Sequence, residues 1–301
     1  MGNWIIAALG ASIIYGLTNN LDSHLVARRL PGLRSFLLAI SVVMLVLILP
    51  FMFIFPLPGG VGGGILASIL ISALMRAAAI VLMIFALKSE EVVGVVPLIY
   101  AYPVFVGIAA VPLLGETLNV GQWLAIFIVV IGAIIVAIRP RGNGKGRWLG
   151  KNFPLLITAA VLFAGADLSA KYALEEIPSF TLYWISMLTL VVVSFCISLR
   201  PEVIKSLKKI ENPRQAAVLV VLNEGLILGA SMLSFWAMKN GPISLVSTIL
   251  ASRPVFVFGA AIVLSRLFPG FVYWQSNRRI LGYKFIAILF IVAGIAIIYL
   301  V

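Results

Sequence analysis

The sequence has few charged residues and almost none of the residues that form disulfides or bind metals. Of its 301 residues, 22 are basic and 10 acidic, whereas 62% are apolar. A soluble domain is nearer one half apolar and one quarter charged, so this composition excludes an ordinary soluble globule and a disordered tail. The single cysteine, Cys196, excludes an internal disulfide, and the single histidine, His24, leaves no His/Cys cluster for zinc or haem. We expect no metal site, no cofactor and the lipid bilayer as solvent.

Long apolar stretches predict an all-α integral membrane protein with ten transmembrane helices. A membrane helix needs roughly 20 apolar residues to cross about 30 Å of hydrocarbon. Stretches of this kind lie near residues 3–21, 33–55, 65–87, 92–114, 120–138, 153–174, 180–199, 216–238, 244–264 and 282–301. The first lacks the charged start and cleavage site of a signal peptide, so we expect it to be retained.

The basic residues are concentrated in one set of connections. Eighteen of the 22 lie after spans 1, 3, 5, 7 and 9. Lys and Arg beside span ends stay on the cytoplasmic side of a membrane. We therefore predict a multi-pass protein of the cell (inner) membrane with its odd-numbered loops in the cytoplasm and both termini on the outer side. The net charge of +12 then reports orientation and does not indicate a nucleic-acid partner.

The two halves of the chain share sequence segments at one spacing. The segment FALK at 85–88 returns as WAMK at 236–239, and PVFV at 103–106 returns at 254–257, both 151 residues later. An odd number of spans per half places the halves upside down relative to each other, and equivalent loops indeed exchange their cation content. We therefore predict one five-helix repeat over 1–139, a basic cytoplasmic linker over 140–152, and a second inverted repeat over 153–301.

Several of these segments together resemble a known family. Tyr15-Gly16 in span 1, the FALK segment, PVF in span 4, LLGETLNVGQWLA and IGAIIVAI are similar to the EamA family of the drug/metabolite transporter superfamily. The likeness extends over nearly the whole chain and is strongest over 85–138. It implies a ten-helix secondary carrier of small metabolites, with a substrate cavity between the two halves.

Four ionisable residues lie inside the predicted spans, where they are costly and are functional candidates by default: Arg76, Asp167, Glu224 and Arg253. The repeat relates spans 3 and 8 and places Arg76 and Glu224 on equivalent faces. We expect these two to meet across the cavity, directly or through substrate. The alternative is a permanent structural ion pair.

Arg253 precedes Pro254, and the equivalent Tyr102 precedes Pro103. Proline frees a backbone carbonyl one turn back, and matched helix breaks are a sequence pointer to a carrier's binding site. The planar fork of arginine suits carboxylate or phosphate, so an anionic or zwitterionic substrate is favoured. In the alternative, Arg253 pairs with Glu224 or Asp167 and contacts no substrate.

Asp167 and Glu224 are also candidates for proton coupling, since burial favours the neutral carboxylic acid. A local pair with Lys171 is the alternative role for Asp167. Asn19, Tyr102 and Asn223 either line the cavity or bond neighbouring helices.

The leading functional prediction is a secondary active exporter or exchanger of a small anionic or zwitterionic metabolite, such as an amino acid, working by alternating access. A flippase for a lipid-linked head group and a multidrug exporter of the same superfamily are the alternatives. The expected partners are the small-molecule substrate, the bilayer and a proton. An intramembrane enzyme is disfavoured because the sequence has neither HExxH nor GxGD.

Overall fold

The computed structural model describes residues 3–88, 99–137, 153–208, 210–267 and 278–300, and every regular element within them is a helix. The predicted linker over 140–152 and the first part of the fourth span, 92–98, lie outside these residues. The helices are, in chain order, α1 (Asn3–His24), α2 (Leu33–Ile54), α3 (Gly63–Lys88), α4 (Tyr102–Leu114), α5 (Val120–Ala137), α6 (Phe153–Leu174), α7 (Ser179–Ser198), α8 (Pro201–Leu207), α9 (Pro213–Asn240), α10 (Ile243–Leu250), α11 (Arg253–Leu267) and α12 (Arg278–Leu300).

Eight helical segments in the described part of the chain are long and apolar enough to cross a membrane. One of them joins α1 to the π-helical turn Leu25–Arg29, and another runs through α10 and α11. The predicted fourth and fifth spans correspond to shorter apolar helices, Tyr102–Leu114 and Val120–Val136. The chain is therefore a multi-pass membrane protein in which large apolar side chains such as Phe53 and Leu300 remain exposed, as expected for groups that face lipid.

The helices pack in specific pairs. Helix α1 packs along α9 and α3 along α6, while α2 packs on α7 and α5 on α12. In addition, α1 contacts α11 and α4 contacts α6. Small residues such as Ala8 and Ala11 of α1 are fully buried, and short side chains of this kind let membrane helices approach closely.

The ninth predicted span is broken next to its proline. Helix α10 ends at Leu250 and α11 begins at Arg253, one residue before Pro254. Proline has no N–H for the carbonyl of residue 250, and the Ser12 hydroxyl of α1 lies 3.4 Å from that oxygen. The break is thus stabilised by a neighbouring helix, which supplies the donor that lipid cannot. The same geometry places Arg253 at the first position of α11.

Two ends of the bundle can be distinguished by their side chains. At the basic end, the π-helical turn meets the start of α9, where Arg29 donates a 3.0 Å hydrogen bond to Gln215. At the opposite end, which we call the Glu116 end, Gly115 terminates α4 with a left-handed φ of 66° and positions Glu116. The Glu116 carboxylate accepts hydrogen bonds from the backbone N–H groups of Ile243 and Ser244 at the start of α10.

Candidate functional site

A part-buried ion pair joins α3 to α6 in the middle of the bundle. The Arg76 Nη2 atom lies 2.8 Å from Asp167 Oδ1, and the two side chains are 22% and 4% exposed. One turn earlier on α3, the Ser72 hydroxyl donates a 2.8 Å hydrogen bond to the carbonyl of Ala166. This second contact fixes the register of the two helices and thereby places the arginine opposite the carboxylate.

The other midspan arginine is held by an aromatic ring and not by a carboxylate. The guanidinium carbon of Arg253 lies 3.9 Å from the centroid of the Tyr15 ring, a close cation–π contact. Tyr15 is oriented by its hydroxyl group, which is 2.9 Å from the Ser231 hydroxyl on α9. The Arg253 Nε atom is buried and has no hydrogen-bond partner among the described residues. One donor of this guanidinium is therefore free for a ligand.

These residues form one electrostatic unit, which we call the arginine cluster: Tyr15, Arg76, Tyr102, Asp167 and Arg253. Asp167 interacts electrostatically with both arginines, and so does Tyr102. The Tyr102 hydroxyl donates a 3.3 Å hydrogen bond to the Ser247 carbonyl of α10. Two guanidinium groups and one carboxylate give the arginine cluster a formal charge of +1 when Asp167 is ionised.

A second polar group, the acidic cluster, consists of Asp22, Asn223 and Glu224. The Asn223 side-chain amide donates to Asp22 Oδ1 at 2.7 Å and to Glu224 Oε1 at 3.3 Å. Asn223 is fully buried and Glu224 is 2% exposed, whereas Asp22 is half-buried. One amide thus bridges two carboxylates between α1 and α9.

The two clusters lie at different depths of the same helix pair. Asp22 follows Tyr15 by seven residues, and Glu224 precedes Ser231 by seven, which is about 10 Å of helix rise in each case. The acidic cluster is therefore two helical turns closer to the basic end than the arginine cluster. Asn19 lies between Tyr15 and Asp22 on the same face of α1, and its side chain is exposed.

Arg76 and Glu224 were predicted to meet directly or through substrate; the direct contact is wrong, and the contact through substrate stays a prediction. Arg76 pairs with Asp167 because α3 packs along α6, whereas α9, which carries Glu224, packs along α1. The alternative pair of Asp167 with Lys171 is also wrong. The Lys171 ammonium donates instead to the carbonyls of Met238, Lys239 and Gly241 at the Glu116 end, at 2.8 to 3.3 Å. Arg253 forms no ion pair with Glu224 or Asp167 within 4 Å.

Sequence reasoning missed two members of these clusters. Tyr15 entered only as part of an aromatic-glycine segment, and Asp22 was placed just beyond the end of the first span. In the structure α1 continues to His24, so Asp22 still belongs to the helix. The signal that identifies both is helical spacing: Tyr15, Asn19 and Asp22 recur at four and three residues on one face.

Comparison with known proteins gives one family and one fold. Residues 2–138 match the model of the EamA-like transporter family, a shorter range than the resemblance predicted from the sequence. A protein of known crystal structure is 17% identical to this chain with a TM-score of 0.69, and the alignment covers 97% of this chain and 95% of the other. At that identity the likeness concerns the fold alone, and it extends over both halves. No curated protein matches the chain.

Proposed function

Because residues 2–138 match the model of the EamA-like transporter family, we propose that this chain is a member of that family and a secondary carrier for a small anionic or zwitterionic metabolite, such as an amino acid. In this proposal the carrier exports or exchanges its substrate by alternating access. The match to the family supports membrane transport, and the arginine cluster supports the substrate class.

The proposal includes ten transmembrane helices arranged as two inverted five-helix repeats. The helix pairing supports this arrangement, because exchanging the halves maps the most extensive helix contacts onto each other. The α1–α9 pair corresponds to the α6–α3 pair, and the α1–α11 contact corresponds to the α6–α4 contact. A bundle of this symmetry offers two equivalent packings of the halves, which alternating access requires. The positive-inside rule favours the basic end as the cytoplasmic end of an inner-membrane carrier.

The environment of the Arg253 guanidinium is the observation that supports the proposed substrate class. Its guanidinium stacks on Tyr15, its buried Nε has no protein partner in the described part of the chain, and no carboxylate lies within 4 Å of it. A buried guanidinium donor without a hydrogen-bond partner is unfavourable unless a ligand group accepts from it. Since a guanidinium binds carboxylate or phosphate through two parallel hydrogen bonds, the site fits one anionic group.

The Arg76–Asp167 pair has a different role in this proposal. The pair is neutral overall. The Phe235 ring lies 5.8 Å from the Arg76 guanidinium, and the Nε atom of Arg76 has no hydrogen-bond partner among the described residues. The Asp167 carboxylate can accept a hydrogen bond from the ammonium group of a zwitterionic substrate whose carboxylate is bound by Arg253. The break between α10 and α11 allows Arg253 to move with the start of α11 while α10 stays fixed.

The test begins with a screen of extracellular metabolites from cells that overproduce the protein, followed by counterflow of each candidate in proteoliposomes. We expect Arg253→Gln to abolish counterflow and Arg253→Lys to keep a part of it, because lysine retains the charge but not the fork. Arg266→Gln, an exposed arginine at the end of the same helix, is the matched control and should transport normally. Full counterflow with Arg253→Gln would refute the proposed site.

A lipid-linked head group is the second candidate substrate, and one feature favours it. An apolar groove of about 830 Å³ between α1, α11 and α12 is lined by Ile13, Leu17, Phe256 and Phe285, among other side chains. Phe256 lies one turn from Arg253, so an acyl chain in this groove would place an anionic head group near the guanidinium. A leaflet-translocation assay with a fluorescent anionic lipid separates the two candidates, because a metabolite carrier should leave that lipid in its original leaflet.

A further inference from the structure

The acidic cluster contains two carboxylates that share one amide donor. Within the described residues, no Lys or Arg nitrogen lies within 4 Å of Asp22 or Glu224. The hydrogen bonds that reach these carboxylates come from the Asn223 amide. The cluster is therefore unlike the Arg76–Asp167 pair, in which each charge has a partner.

Two oxygen atoms of the acidic cluster are buried without a hydrogen-bond donor. They are Glu224 Oε2 and Asn223 Oδ1, on residues that are 2% and 0% exposed. An isolated ionised carboxylate in such a site is so costly that the group binds a proton and becomes neutral instead. Two carboxylates that share one donor also repel each other, which disfavours their simultaneous ionisation.

None of the described titratable groups around Glu224 forms an ion pair that would balance its negative charge. Helix α1 contributes Asp22 and Tyr15, and α7 contributes Tyr183, which interacts electrostatically with Glu224. Residues 35–54 of α2 and the whole of α10 contain no titratable side chain. On α6, Asp167 is paired with Arg76, and Lys171 binds backbone carbonyls at the Glu116 end. At the basic end, Arg29 donates to His24 and Gln215.

We propose that Asp22, Asn223 and Glu224 form a proton-binding site in which Glu224 carries the exchangeable proton, and that this proton is coupled to transport. The coupling step rests on the proposed function, whereas proton binding stands on the geometry of the acidic cluster. Half-buried Asp22 connects the site to the basic end and relays the proton to the buried Glu224 carboxylate.

Coupling follows from the shared helices. Helices α1 and α9 hold Tyr15 against Ser231 at the arginine cluster and Asp22 against Asn223 two turns away. A shift between α1 and α9 that opens one contact changes the other as well. Loss of the proton from Glu224 also adds a negative charge two helical turns along α9 from the level of the anion site, which weakens anion binding there.

Infrared difference spectroscopy of the purified protein during a pH titration tests proton binding directly. We expect a carboxylic acid C=O band that titrates in the wild type and is absent in Glu224→Gln. Glu202→Gln, an exposed glutamate of α8, is the matched control and should keep the band. Asp22→Asn should shift the titration of the band without removing it. A spectrum that Glu224→Gln leaves unchanged would overturn the proposal, as would a band displaced by sodium at constant pH.

A transport experiment tests the coupling separately. For one proton per substrate, each unit of imposed pH gradient should change the steady-state accumulation of the screened metabolite about tenfold in the wild type. Glu224→Gln should exchange substrate across the membrane but lose this response. Wild-type accumulation that is indifferent to the gradient would overturn the coupling. If no metabolite is transported at all, the proposed function fails, and the infrared titration still decides whether the site binds a proton.

Discussion

The Arg76–Asp167 pair provides the sharpest quantitative prediction about stability. Its atoms are 2.8 Å apart, which corresponds to a gross attraction of about 6 kcal/mol at an effective dielectric constant near 20. Desolvation of both groups offsets much of this attraction, so the pair contributes little net stability compared with two apolar residues. Removing one partner is different, because it leaves an uncompensated charge inside the bundle.

We expect Arg76→Leu to destabilise the protein by about 3–5 kcal/mol, because Asp167 is only 4% exposed and loses its sole cation within 4 Å among the described residues. Asp167→Leu should cost less, since Arg76 is 22% exposed and can still reach water. The double variant should recover most of the loss. Arg200→Leu, an exposed arginine before α8, is the control and should change stability by less than about 0.5 kcal/mol.

Thermal unfolding in detergent, followed by the fraction of monodisperse protein, measures this cycle. The informative quantity is the difference between the double variant and the sum of the two single variants. If the stability losses of the two single variants simply add in the double variant, the two side chains are not coupled. If the Arg76→Leu protein is as stable as the Arg200→Leu protein, leaving Asp167 without its cation carries no measurable cost. Counterflow by a stable double variant would further show that the pair is structural and does not contact substrate.

Two other contacts give predictions of smaller size. Gly16→Ala should cost about 1–3 kcal/mol, because a Cβ there would lie 2.8 Å from the carbonyl carbon of Phe256, whereas Gly225→Ala, with open space around it, should be neutral or stabilising. Equal unfolding temperatures for these two variants would contradict the close approach of α1 and α11. Glu116→Gln should cost about 1–2 kcal/mol, since it removes a charged acceptor from the start of α10, where the carboxylate also binds the Ser244 hydroxyl at 2.5 Å. If Glu116→Gln unfolds at the same temperature as the wild type at both low and high salt, the capping role is contradicted.

Hydropathy predicted the positions of the long helices well. Predicted spans over 33–55 and 153–174 correspond to α2 (Leu33–Ile54) and α6 (Phe153–Leu174). The match is close because a membrane helix must satisfy all its backbone hydrogen bonds internally, so an apolar stretch of sufficient length has little choice of structure. The first span was predicted too short, because α1 continues through the polar residues Asp22, Ser23 and His24.

Contacts between helices were harder to predict, and the Arg76 side chain illustrates why. Location inside the predicted spans identified Arg76, Asp167, Glu224 and Arg253 as four charges that need partners. Depth alone cannot select among carboxylates at similar levels on different helices. Arg76 contacts Asp167, which is 91 residues away in sequence, because α3 packs on α6. Arg253 has an aromatic partner, Tyr15, that no charge-based argument would choose.

The sequence by itself determined the solvent, the helical class, the clustering of basic residues in alternate loops, and the residues whose burial needs an explanation. These follow from local composition, because the transfer of each segment into hydrocarbon depends mainly on its own side chains. Only the tertiary structure decided which charges are neutralised. Among the described residues it left Arg253 without a carboxylate within 4 Å and placed Asp22 beside Glu224. These relations depend on which helices pack together and at what rotation, and apolar surfaces alone specify neither.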